Sequence, residues 1–175
     1  MAVIKDRGVI LVTGNRGSGK TTFCSHYSQE MKSQGWRVGG ILSLPVFENG
    51  QKSAIEVMDL TSQERKIFAT LTPGCPQDII LGIWAIKPEA IGWGNAIFKD
   101  AHTLDLLIVD ELGPLEFMKG EGWYKAFEAL NRVGVEIQQA LVVVRPELRK
   151  QAYQKLPISR EIEIKDNRII EVSLR

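Results

Sequence analysis

Only two cysteines, Cys24 and Cys75, occur in 175 residues, and their spacing is not that of metal ligands, so neither a disulfide framework nor a structural zinc site is expected. A reducing, cytoplasmic setting fits best. No charge sign dominates either: 22 basic residues face 21 acidic ones, a formal net charge of +1, so nothing global draws the chain to nucleic acid or a membrane. A local basic patch stays open. Long apolar runs are missing, since no stretch approaches the roughly 18 residues of a spanning helix. The charged start, Met1 to Arg7, lacks the architecture of a cleavable signal. There is no repeat, low-complexity tract or visible boundary, so residues 1–175 are expected to form a single domain, with a monomer favoured and the oligomeric state otherwise open. What is present is ordinary globular composition, 44% hydrophobic and 25% charged.

The organisation reads as α/β. Gly8 to Thr13 is short, β-branched and closed by Gly14, which predicts a buried strand. Phe23, Tyr27 and Met31 then recur at helical spacing until Gly35. Trp36 to Phe47 predicts a strand, Asn49-Gly50 a hairpin turn, and Ile55, Val57 and Leu60 the returning strand; another is expected from Arg65 to Leu71. These three form an antiparallel meander inserted into an alternating pattern. One further strand is expected over Ile79 to Ile86 and a helix over Pro88 to Asp100. Leu104 to Val109 predicts a second buried parallel strand ending on Asp110-Glu111. Trp123, Phe127 and Leu130 mark an amphipathic helix between Gly122 and Gly134. Ala140 to Val144 predicts a strand, Pro146 to Lys155 a short helix, and Glu161 to Val172 a terminal hairpin. The expected fold is a mixed, mainly parallel sheet flanked by helices.

Chemistry concentrates in Gly14-Asn15-Arg16-Gly17-Ser18-Gly19-Lys20-Thr21, which matches G-x-x-x-x-G-K-[ST] at every defined position. Glycines at 14, 17 and 19 permit positive φ and close approach of backbone to phosphate oxygens, so successive N–H groups can face one concavity. The helix that follows adds the positive end of its dipole. In this pattern Lys20 reaches the β- and γ-phosphates, Thr21 ligates Mg²⁺, and Thr22 is a weaker candidate for the α-phosphate. The metal needs a carboxylate as well, and Asp110, at the end of a buried strand, is the candidate. Glu111 is then placed to take a proton from the attacking water, and Glu116 is a further acid near the same edge. Arg145, at the end of the Leu141 to Val144 strand, is the candidate cation for the transition state; a solvated strand-end arginine is its other reading. Arg16 reads as solvent-facing or ribose-proximal and His26 as structural. Cys24 reads as a core residue. The tryptophans at 36, 84, 93 and 123 read mostly as packing, with Trp93 also placed to cover a ligand.

Beyond the loop, Gly39-Gly40-Ile41, Val57-Met58-Asp59-Leu60 and above all Asp110-Glu111-Leu112-Gly113-Pro114-Leu115-Glu116 are similar to motifs of the cancer-related nucleoside-triphosphatase family of small P-loop NTPases. The last string resembles the family's D-E-I-G-x-M-E. Arg145 resembles the arginine of a His-Arg pair whose histidine is Val144 here, and Asp166-Asn167-Arg168 resembles a Glu-Asn-Arg. The resemblance implies Mg²⁺-dependent hydrolysis of several nucleoside triphosphates, ATP and GTP among them, to diphosphate and phosphate. It gives Lys20, Thr21, Asp110 and Glu111 the roles already described.

Three functions remain distinguishable. A slow, base-tolerant NTPase leads, because no N-K-x-D guanine-reading motif is present. A phosphotransferase to a small acceptor would use the same loop, with the meander hosting the acceptor. A nucleotide-gated binding module would use hydrolysis only to reset a partner-binding state.

Overall fold

In a computed structural model of the chain, residues 7–166 and 168–172 are described. Ten strands form one sheet in the order β10-β9-β1-β8-β7-β2-β3-β4-β6-β5. Its centre is parallel: β1 (Gly8–Thr13) lies between β8 (Ile137–Val144) and β9 (Ile158–Lys165), and β7 (Leu104–Leu112) joins β8 to β2 (Val38–Glu48). Both flanks are antiparallel. β10 (Arg168–Val172) folds back on β9, while β3 (Gln51–Asp59), β4 (Arg65–Thr70), β6 (Trp84–Ile86) and β5 (Ile79–Leu81) continue from β2.

The alternation within the central strands explains why both faces are covered. Val9, Leu11, Leu107, Val109, Ala140 and Val142 face a layer containing Phe98, Leu130 and Ala152. These come from α2 (Pro88–Lys99), α3 (Lys125–Asn131) and α4 (Arg149–Lys155). Ile10, Val12, Leu106, Ile108, Leu141 and Val143 face the other way, onto Phe23, Cys24, Tyr27 and Met31 of α1 (Lys20–Ser33). A period of two with apolar residues at both phases requires helices on both sides of a sheet. Across the second layer the buried Tyr27 hydroxyl donates to Gln139 Oε1 at 2.9 Å.

Three expectations change. Ile79 to Ile86 is not one strand but two three-residue strands, β5 and β6, with Gly82-Ile83 as the turn and Leu81 opposite Trp84. Trp123 precedes α3 instead of lying within it, and a single π-turn at Leu115–Lys119 fills the segment after β7. Finally, β7 does not stop at Val109: it runs through Asp110 and Glu111 to Leu112, with a register irregularity against β8 that begins after Val109. Asn167, in the string Asp166-Asn167-Arg168, lies outside the described residues.

Candidate functional site

The segment between β1 and α1 closes over the carboxyl edge of the sheet. Gly14 follows the buried Thr13 with φ +142°, and a Cβ there would lie 2.3 Å from the Ile164 carbonyl oxygen and 2.7 Å from Ser18 Oγ. Any larger residue would push the loop off β9. Gly17, with φ +79° and no atom within 4 Å of an added Cβ, is needed for its backbone and leaves open space beside it. Ser18 N–H donates to Asn15 O at 3.1 Å, completing the turn. Gly19 then enters α1 in the left-handed region without a side-chain cap. The first N–H groups of that helix are therefore available to an anion.

Lys20 folds back over this loop, donating to Gly14 O at 2.7 Å and Asn15 O at 2.8 Å. Burial pulls its ammonium below the ordinary lysine range, opposed by Glu111 and Asp110 and assisted by Arg145. Asn15, Arg16 and Thr22 are exposed, and Thr21 is half-buried.

Asp110 is buried, and desolvation pushes its carboxyl up to about 7. Hydrogen bonds from Ser43 N–H, at 2.9 Å, and from the Thr21 hydroxyl act in the opposite direction. Among the described residues Oδ1 has no hydrogen-bond partner. A buried carboxylate left short of donors, beside a hydroxyl at a helix start, fits a hard cation that takes few protein ligands and completes its shell with water and phosphate. Among the described residues no cluster of three or more His, Cys, Asp or Glu offers an all-protein cage.

The Asp110 shift has a thermodynamic consequence. Its folded value lies above the roughly 3.9 of an unfolded aspartate, so the folded state binds more protons between those two values. Without ligand, the wild-type protein should therefore lose stability as pH rises from about 4 toward 7. Asp110→Asn removes this slope, on the order of 1 kcal/mol per pH unit where it is steepest. Denaturant unfolding of both proteins at several pH values checks it; parallel curves would mean that Asp110 is not neutralised by burial.

Glu111 follows within β7 at φ +81°, a conformation that costs a non-glycine residue about 1 kcal/mol or more. Its Oε1 accepts from Arg145 Nε at 2.7 Å. The structure thus brings together two groups read separately from the sequence, and Arg145 is engaged with an acid instead of free. Glu116 is not an open acid: it is buried, with Oε2 accepting from Gly113 N–H at 2.8 Å and Oε1 from Trp123 N–H at 2.9 Å. It holds the loop after β7 in shape.

Other candidates lie apart. His26 is exposed on α1, and Cys24 is buried in the core with its thiol pushed up by burial. Trp93 packs at the edge of the core beneath Lys66, and Arg168 is exposed at the start of β10. Ser43 escaped the sequence reading, and no sequence signal pointed to it: it comes beside Asp110 because Ile41 of β2 pairs with Val109 of β7. Besides its N–H bond, its hydroxyl donates to Asp110 O at 2.8 Å.

The sequence profile of a family described as NTPase matches residues 9–173. The chain belongs to that family. Among curated relatives, it is 31% identical over 107 residues to nucleoside-triphosphatase THEP1 of Methanopyrus kandleri, covering 61% of this chain and 58% of the relative. It is 30% identical over 110 residues to nucleoside-triphosphatase THEP1 of Methanocaldococcus jannaschii, covering 62% and 63%. The matched stretches thus span about three fifths of these NTPase-family relatives. The solution structure of a human cancer-related nucleoside triphosphatase superposes with a TM-score of 0.62 over 84% of each chain at 18% identity, which shows a shared fold. No helix among the described residues is long and apolar enough to cross a membrane.

Proposed function

We propose that this protein is a Mg²⁺-dependent nucleoside-triphosphatase that converts ATP, GTP and other nucleoside triphosphates to diphosphate and phosphate. The observation that carries the reading is the meeting at one sheet edge of an uncapped, lysine-bearing helix start with a buried, under-hydrogen-bonded Asp110. Names of the curated relatives support the same activity.

In this reading the N–H groups from Gly17 to Thr22 receive the phosphates, and Lys20 exchanges its two carbonyl partners for β- and γ-phosphate oxygens. Thr21 and Asp110 would hold Mg²⁺, which supplies charge neutralisation on the phosphates when bound. Glu111 orients the attacking water and takes its proton. The water oxygen bonds to the γ-phosphorus as the bond to the bridging oxygen breaks, and that oxygen leaves with the electron pair on the diphosphate. Arg145, once drawn from Glu111 by the incoming charge, stabilises the phosphoryl oxygens. Ser43 positions Asp110. We take residues 1–175 to act as one domain.

Since the contacts in this reading go to phosphates, ATP, GTP and pyrimidine triphosphates should be hydrolysed within about tenfold of one another, a spread of about 1.4 kcal/mol. Phosphate release from a nucleotide panel, with product identification, tests this. Release from ATP alone supports hydrolysis; transfer only to an added acceptor would make the protein a kinase, and release only with a macromolecule would make it a gated module. A several-thousandfold preference for one base would reveal a base-reading pocket.

A further inference from the structure

The hairpin of β2 and β3 continues past the parallel sheet. β2 pairs with β7 only from Val38 to Ile41, opposite Leu106 to Val109, and then runs on with β3 to Glu48 and Gln51. Beyond Ser43, which meets Asp110, the strand extends by five residues to Glu48, roughly 17 Å, past the edge that carries the phosphate loop. Near its tip Phe47 lies opposite Lys52 while Val46 lies opposite Ala54, so Ser53 is an extra residue on β3. Such a bulge bends its strand and re-aims the neighbouring side chains.

Lys52 is the charge that this bend delivers. It is half-buried, its ammonium stands 5.2 Å from the centroid of the Trp84 ring, and among the described residues it has no hydrogen-bond or ion-pair partner. The charged groups acting on it are Glu111, Arg16, Arg145 and Asp110. All four belong to the candidate site, from the loop and from the ends of β7 and β8. Burial lowers the affinity of this ammonium for its proton, and the two arginines add to that effect while the two acids oppose it. A partly desolvated cation attracts an additional anion more strongly than a fully hydrated one does.

We propose that Lys52 is a further catalytic residue, contacting the terminal phosphoryl group of the bound nucleotide from the hairpin and stabilising the negative charge that develops there. The proposal rests on the nucleoside-triphosphatase reading. Lys52 moves no proton; the water proton goes to Glu111 and the diphosphate leaves as above. Lys20 meets the phosphates from the loop, and Lys52 and Arg145 supply charge from two other elements.

Lys52→Met keeps an apolar stem over Trp84 and removes the charge, while Lys52→Arg keeps the charge. With ATP and Mg²⁺, single-turnover hydrolysis by Lys52→Met should fall on the order of 10²-fold, the effect of losing one preorganised donor. Affinity for ADP–aluminium fluoride should fall by a similar factor with ADP affinity unchanged, and Lys52→Arg should recover most of both. Wild-type-like hydrolysis and ADP–aluminium fluoride binding in Lys52→Met would overturn the proposal, and so would a parallel loss of ADP affinity, which would mark a general effect on the loop. A wild-type protein that releases no phosphate and binds ADP–aluminium fluoride no better than ADP would overturn the nucleoside-triphosphatase reading as well. An active wild type with an indifferent Lys52→Met would overturn the Lys52 role alone.

Discussion

Glu111→Gln is expected to bind Mg²⁺ and nucleoside triphosphate about as well as the wild type while hydrolysing on the order of 10²-fold more slowly, or worse. Glutamine occupies the same volume and tolerates φ +81° no better and no worse than glutamate, so the backbone of β7 should be preserved. Its amide can hydrogen-bond a water but cannot accept its proton. Among charged groups Glu111 acts most strongly on Lys20, so removing its charge should leave phosphate affinity level or slightly raised. The variant also weakens the 2.7 Å contact with Arg145, since an amide oxygen can still accept from Nε but carries no full charge, which would help and not hinder an arginine meant for phosphoryl oxygens. A slow variant is therefore explained by loss of the base alone. Fluorescent-nucleotide affinity paired with single-turnover hydrolysis makes the measurement. Near-wild-type turnover would reduce Glu111 to a partner for Arg145, and Glu116 would be a poor replacement because both its oxygens already accept buried backbone N–H groups.

The parts of this site that could be read in the sequence are those where function and local structure share one short segment. Gly14 to Thr21 is such a segment, because glycine spacing, the lysine and the helix that follows all constrain the same turn. Asp110 was readable because a buried parallel strand must end on the edge that carries the loop. Three features were not readable, for a common reason. The left-handed backbone of Glu111 depends on the irregular pairing of β7 with β8, the Glu111–Arg145 contact joins two strand ends 34 residues apart, and Lys52 arrives through a hairpin whose bend is set by pairing register. Register and bulges are decided by partner strands, and one-dimensional periodicity does not carry them. The split of Ile79 to Ile86 into β5 and β6 shows the same limit at smaller scale. Three-residue strands are too short to display a period, and Gly82 with φ +61° is the only turn signal between them. Glu116 failed in the opposite direction: its motif position made it look chemical, yet two backbone donors seven residues or fewer away consume it.

Lys20→Ala should abolish most of the stabilisation that a triphosphate confers, while altering the ligand-free fold far less. In the wild type, Mg²⁺-ATP at 100 times its dissociation constant adds about 2.7 kcal/mol, which raises the unfolding midpoint of a domain this size by about 5–10 °C. In the proposed reading Lys20 contributes to that binding as a half-buried point charge that is already poised over the loop, bonded to Gly14 O and Asn15 O. In the ligand-free protein those two bonds are partly offset by the burial of the ammonium, the first cause of its lowered proton affinity. Of the two acceptors, Asn15 is exposed, so water can replace the lost donor at its carbonyl, while the Gly14 carbonyl is the one left short. The ligand-free variant should therefore lose only about 1 kcal/mol. With nucleotide the balance differs, because the phosphates would remain desolvated in the loop without their principal side-chain cation; the helix N–H groups carry only partial charge, and in the proposed reading Arg145 and Lys52 serve the terminal phosphoryl group from other elements. Thermal unfolding of both proteins with and without Mg²⁺-ATP separates the two effects. A variant whose nucleotide-induced shift equals that of the wild type would remove Gly14 to Thr21 from the binding site, since Lys20 is the cation that this reading places against the phosphates on the loop.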